Sequence, residues 1–116
     1  MTDFYRLNGR SPVACRNQLE WGGWFETADR AVARTVLASG RVISTVFLGI
    51  DHAFSGGPPL LFETMVFEPD GTSSDEFDTA RCGTWGHAEQ LHRHMIAEVM
   101  AVEQVRRQAG GAPDAV

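Results

Sequence analysis

A chain of 116 residues with 43% hydrophobic content and a formal charge of −5 has the size of one domain with a core of its own, which excludes a disordered tail as its main character. All ten basic residues are arginines, and an acidic domain of this kind lacks the electrostatic footprint of a nucleic-acid binder. No stretch reaches the ~18 apolar residues of a membrane helix, and the start, MTDFYRLNGR, has no apolar signal core.

Phe4 to Leu7, followed by Asn8-Gly9, reads as a short strand entering a turn. Residues 16–27 read as a helix with Leu19, Trp21, Trp24, Phe25 and Ala28 roughly on one side, opposed by Gly22 and Gly23. Residues 31–38 fit either a continuation of that helix or a strand. The hairpin is the reading adopted, with Ser39-Gly40 turning the chain into a β-branched strand at 41–50. Residues 51–59 (DHAFSGGPP) are a loop. Residues 60–67 are apolar on both faces, as a central strand is. Pro69-Asp70-Gly71 is a turn, and residues 76–82 are an edge strand. Thr84 caps a long helix to about Gln108, with the stripe Ala88, Leu91, His92, Met95, Val99 and Val102, and Gly110-Gly111 ends it. The expected fold is α+β: an antiparallel meander sheet of four to five strands with two helices, in the order β-α-β-β-β-β-α. Residues 1–109 form one domain and residues 110–116 a loose tail.

Tight turns fix register. Asp51 opposite Pro59 would set Phe47 against Glu63 and Thr45 against Met65. Glu68 opposite Ser74 would set Glu63 against Thr79 and leave it diagonal to Arg81, within ion-pair reach. One face then carries Arg34, Ile43, Thr45, Phe47, Glu63, Met65, Phe67 and Arg81. The other carries Val42, Val46, Phe62, Val66 and Ala80 and is the face expected beneath the helices. The mixed face is left open to a partner or a second copy.

The strings VFLGIDH at 46–52 and GPPLLFETMVF at 57–67 resemble a family of small uncharacterised proteins encoded by tailed phages and prophages of GC-rich bacteria. NGRSPVAC at 8–15, WFETADR at 24–30, ISTVF at 43–47 and the Thr84-Trp85 helix start are similar too, so the resemblance covers most of residues 5–95. It implies a phage-related accessory protein with no assigned reaction, and it supports a strand at 31–37. Gly86 and His87 depart from the family's carboxylate-rich first helical turn, and Gly22-Gly23 depart from its better helix.

Several residues invite chemistry. His87, His92 and His94 suggest a metal, but His92 and His94 point to opposite sides of a helix, and His87 and His94 lie about 10 Å apart. No metal and no cofactor is therefore expected. Asp51 and His52, at a strand end beside a Gly-Pro loop, are the candidates for a catalytic centre together with His92. The expected register puts Glu63 about 14 Å from Asp51, too far for joint acid/base work. Glu63 and Arg81 are expected as a structural ion pair. Trp21, Trp24 and Phe25 are expected to anchor the core. Cys15 and Cys82 lie in no C-x-x-C motif and read as reduced thiols.

Glu68, Asp70, Asp75, Glu76 and Asp78 form an acidic hairpin with no base between them. That pattern fits a solvated edge, or a surface that docks into a basic groove on a partner. The functional expectation is a cytoplasmic protein of the bacterial host cell that binds a host or phage protein, such as an inhibitor of a host defence system (CRISPR–Cas or restriction). A small enzyme centred on Asp51 and His52, or a homodimer through the open sheet face, are the alternatives.

Overall fold

The Asn8-Gly9 turn needs two strands. The computed structural model, which describes residues 3–53 and 56–111, supplies both. β1 (Phe4–Asn8) and β2 (Ser11–Cys15) pair antiparallel as a separate two-stranded sheet. Gly9, at φ +64, takes the first central position of the two-residue turn, where only glycine is at ease. The second strand is an addition to the expected order. Pro12 masked it in the sequence, yet a strand with one free edge tolerates a missing N–H.

α1 (Gln18–Thr27) starts after Asn17, whose Oδ1 accepts from the amides of Leu19 and Glu20. This cap supports a helix that carries two glycines. Leu19 is 88% exposed and lies off the apolar stripe expected for it. Trp21 packs on Phe4 with ring centroids 4.8 Å apart, and its Nε1 donates to the Tyr5 carbonyl at 2.8 Å. Trp24 meets Phe47 edge-on at 6.0 Å.

The main sheet has the order β3-β4-β5-β6, all antiparallel: β3 (Ala31–Val36), β4 (Val42–Phe47), β5 (Phe62–Phe67) and β6 (Ala80–Cys82). With α2 (Trp85–Gly111) this is the expected α+β class with a long C-terminal helix, although the strands divide between two sheets.

The register between β4 and β5 differs by one residue from the expected one. Thr45 faces Thr64 and Phe47 faces Phe62. The cause lies at Gly49, where φ is +78. β4 stops at Phe47, and the chain veers toward the first hairpin instead of turning back. Tyr5 N–H donates to the Gly49 carbonyl at 2.8 Å, Asp51 N–H donates to the Asp3 carbonyl at 2.9 Å, and Ile50 bridges Phe4. A Cβ on Gly49 would meet the Trp21 and Phe25 rings at 3.2 Å. A one-residue slip moves every side chain of a strand to the other face. Ile43, Thr45 and Phe47 therefore join Phe62, Thr64, Val66 and Cys82 in the buried layer, while Val42 and Val46 move to the open face.

The last strand is also shorter than expected. Phe67 bridges Ser73 and Ser74 N–H donates to the Val66 carbonyl at 2.8 Å, but Glu63 faces Arg81, so residues 75–79 loop out of the ladder between these pairings. The segment expected to pair from Glu76 joins the sheet only at Ala80, and Phe77 turns inward to the core.

α2 covers one face. The Thr84 hydroxyl accepts from the His87 amide at 3.2 Å, and the helix continues through Gly110 and Gly111, past the stop expected at Gln108. Residues 112–116 of the expected tail lie outside the described residues, as do residues 54–55 of the 51–59 loop. Beneath the helix, the core divides into two clusters. Ile43, Val66, Phe77, Met95 and Val99 form one. Phe47, Leu61, Phe62, Cys82 and Ala88 form the other, with Tyr5, Leu7, Trp24 and Trp85 packed against it. The hairpin tip reaches the start of α2, where the Arg10 guanidinium lies 5.4 Å from the Trp85 ring centroid. Among the described residues no helix is long and apolar enough to cross a membrane.

Candidate functional site

Between the two apolar clusters runs a polar row. His92 enters from α2 and is 5% exposed, while Thr45 and Thr64 are 0% and 1% exposed. His92 Nδ1 lies 2.7 Å from Thr45 Oγ1, His92 Nε2 lies 2.9 Å from Thr35 Oγ1, and Thr45 Oγ1 lies 2.7 Å from Thr64 Oγ1. A neutral imidazole offers one N–H and one lone pair. Either tautomer satisfies the whole chain, with the hydroxyls donating in sequence one way or the other. Burial holds the imidazole pKa below its ordinary value, because the charged form loses its hydration there. The arrangement fixes the lateral position of α2 on the sheet. Period-2 patterning missed it, since Thr45 and Thr64 read as ordinary strand formers, and the one available signal was a histidine on an apolar stripe.

Asp51, His52 and His92, the expected catalytic candidates, have separate partners. Asp51 Oδ1 accepts from Ala53 N–H at 2.8 Å and Leu60 N–H at 2.9 Å, closing the loop after β4 as an Asx turn does. His52 Nδ1 donates to the Ile50 carbonyl at 2.8 Å. His92 belongs to the threonine row. His87 and His94 are exposed where His92 is buried, and no group of three or more His, Cys, Asp or Glu suited to a metal occurs among the described residues. Cys15 and Cys82 are both buried free thiols, and burial pushes the Cys82 thiol pKa up.

The acidic hairpin is a different object in space from the one read along the chain. Arg41 reaches into it from the start of β4, with Nε 3.0 Å from Glu68, Nη2 3.3 Å from Glu76 and Nη1 3.3 Å from Glu103 of α2. Arg106 pairs with Glu76 as well. The Arg41 pKa is raised, first by its hydrogen bond to Glu68. The Glu68 carboxyl is held below its usual range by the Ser74 hydroxyl and then by Arg41. Asp70 accepts from the Thr72 amide at 2.9 Å and the Thr72 hydroxyl at 2.7 Å, which lowers its pKa. Of the five acids, Asp75 and Asp78 make no side-chain hydrogen bond or ion pair among the described residues. Asp70 holds the turn through Thr72, and Glu68 and Glu76 tie it toward α2 through Arg41 and Arg106, bases distant in sequence.

Opposite the helix, the sheet is uncovered among the described residues. Three rows cross this face in register: Val36, Val42 and Phe67; Arg34, Ser44 and Met65; Val46, Glu63 and Arg81. Arg81 Nε donates to Glu63 Oε2 at 3.0 Å, directly across the strands where a diagonal approach was expected. Val36 is 57% exposed, and Val42, Val46, Met65 and Phe67 are half-buried. Arg34, Val42, Ser44, Phe67, Glu68, Pro69 and Gly71 line a shallow hollow of about 330 Å³. The Arg34 guanidinium is exposed and has no carboxylate partner among the described residues.

No family model, curated protein or solved structure matches this chain.

Proposed function

We propose that this chain acts by binding another protein through the open face of its four-stranded sheet. The role is that of a small accessory protein of the phage or prophage type, acting in the cytoplasm of a bacterial host. The observation that carries the reading is the uncovered face itself. Five apolar side chains, Val36, Val42, Val46, Met65 and Phe67, stand together there with a charged rim of Arg34, Glu63 and Arg81. An apolar centre with a polar rim is the anatomy of a protein contact. Asp51, one of the residues that suggested catalysis, closes a loop, and His92 joins α2 to the sheet. The resemblance of VFLGIDH and GPPLLFETMVF to phage-encoded proteins supports host defence machinery, CRISPR–Cas or restriction, as the target class.

Affinity capture from the bacterial host tests the surface with two variants. Met65→Asp places an unpaired charge at the centre of the face and should abolish capture of the partner. Asp75→Arg with Asp78→Arg reverses the two free acids of the hairpin and should leave capture intact. A partner retained by Met65→Asp and lost by the acid reversal would move the contact to the hairpin and overturn the assignment.

A further inference from the structure

The open face ends at β3, and that edge has its own chemistry. β6, the opposite edge, pairs over only three residues, whereas β3 runs for six. Leu37 N–H donates to the Arg41 carbonyl at 2.8 Å. Hydrogen-bonded and non-bonded positions alternate along an antiparallel ladder. Thr35 and Ala33 therefore turn their backbone groups toward β4, and Arg34 and Val36 turn theirs to the free side. The side chains follow the same alternation. Thr35 goes under the helix to His92, so Arg34 and Val36 stand on the open face. These two residues thus present N–H and C=O groups at the edge that have no backbone partner among the described residues, and next to them a cation and an apolar side chain.

We propose that β3 accepts an extended segment of a partner protein as a fifth strand, and that this segment carries a carboxylate facing Arg34 and an apolar side chain two residues away facing Val36. The occupant is specified by charge and by spacing. Arg81 on this face is already matched by Glu63 at 3.0 Å, and Arg41 behind the hollow is matched by three glutamates. Arg34 is the cation of the face left without a partner among the described residues. An opposite charge directly across a strand pair is a stabilising contact, and a like charge there is unfavourable. Side chains of an added strand alternate, so the two that land on the open face are two residues apart. Main-chain hydrogen bonds to Arg34 and Val36 supply the attachment, and the carboxylate supplies the choice of partner.

This inference rests on the open face being the binding surface, and the test separates the two. The probe is a capped heptapeptide, Thr-Val-Thr-Glu-Thr-Val-Thr, compared with the same peptide carrying Lys in place of Glu. Binding is followed by amide chemical shifts and hydrogen exchange of the full chain. The Glu peptide should perturb residues 31–36 and slow exchange at the Arg34 and Val36 amides, with the Lys peptide about tenfold weaker. In Arg34→Glu the order of the two peptides should reverse, a result that misfolding would not produce. Equal binding of both peptides, or no protection at Arg34 and Val36, would overturn the added strand. If Met65→Asp still abolishes partner capture, the open-face reading survives that failure. If neither the peptides nor Met65→Asp has an effect, both readings fall. Sedimentation without peptide covers the remaining occupant: a dimer with Arg34 and Val36 already protected would give the edge to a second copy and overturn the partner segment.

Discussion

The two faces of the main sheet are made from the same strands and nearly the same residue types, yet they solve opposite problems. Under α2, the rows run apolar, polar, apolar, and the polar row of Thr35, His92, Thr45 and Thr64 is hydrogen-bonded throughout. On the other side, valines, Met65 and Phe67 lie half-exposed beside an unmatched Arg34. Buried polar groups must be paired, and an exposed one need not be. The polar row of the covered face is therefore complete as it stands, with Trp85 Nε1 the buried side-chain polar atom left without a partner among the described residues, and the open face has room for something against it. The difference predicts that substitutions on the first will be read as stability and substitutions on the second as binding.

The largest effect belongs to the apolar rows of the covered face. Phe62 is fully buried, 5.2 Å from Phe47 and 6.1 Å from Trp85 between ring centroids. Phe62→Ala should cost about 3–5 kcal/mol in urea unfolding, enough to unfold a domain of marginal stability. Thr45→Val comes next. It keeps the shape and removes the hydroxyl that bridges His92 Nδ1 and Thr64 Oγ1. One buried group left unpaired on each side costs about 1–3 kcal/mol. In a cycle with His92→Leu, the double variant should lose less than the sum of the singles, because the second change removes the group that the first had orphaned. Additive losses would show that the row does not act as one network.

How much of this was legible in the sequence follows from what each signal depends on. The long helix, its Thr84 cap and the central strand depend on local pattern, and the chain shows all three, with the helix running on to Gly111 and the strand starting at Phe62. The faces depend on register, and register turned on the left-handed Gly49, whose effect on the loop before Pro59 appears only once β1 is in place. The assumption of a tight return from Asp51 moved β4 by one residue and so exchanged Ile43, Thr45 and Phe47 for Val42 and Val46 as the buried set. The error between β5 and β6 was even in number, so Glu63 and Arg81 stayed on one face and meet. The counter-charges of the acidic hairpin were hidden for a related reason: Arg41 and Arg106 come from 27 and 30 residues away. The unmatched Arg34 was visible only as one arginine among ten.

Acid should sharpen the comparison through the covered face. The His92 pKa is lowered by burial, while an unfolded histidine titrates near its ordinary value of about 6.5. Between the two values the unfolded chain binds the extra proton and the folded chain does not. Stability is therefore full above the ordinary histidine value and is lost as pH falls through the window below it. Urea midpoints should drop from about pH 7 toward about pH 5. His92→Gln should flatten that slope, since His52, His87 and His94 remain in both proteins. An unchanged slope in His92→Gln would assign the acid sensitivity to other groups.

The smallest change in stability should come from the face where binding is expected to be most sensitive. Val36 is 57% exposed and sits on an edge strand, so Val36→Thr keeps a β-branched residue and removes little buried surface. Surface substitutions of this kind usually stay within about 0.5 kcal/mol. Stability in urea should therefore match that of the wild type, while partner capture weakens, because a hydroxyl in place of a methyl on the contact face acts only when the contact forms. The same substitution logic applied at Phe62 gives the reverse pattern, a protein that fails to bind because it fails to fold. Measuring both quantities on both variants separates the faces by function. A Val36→Thr protein that unfolds early would show that the open face already contributes to the fold, and the contrast between the two faces would then dissolve.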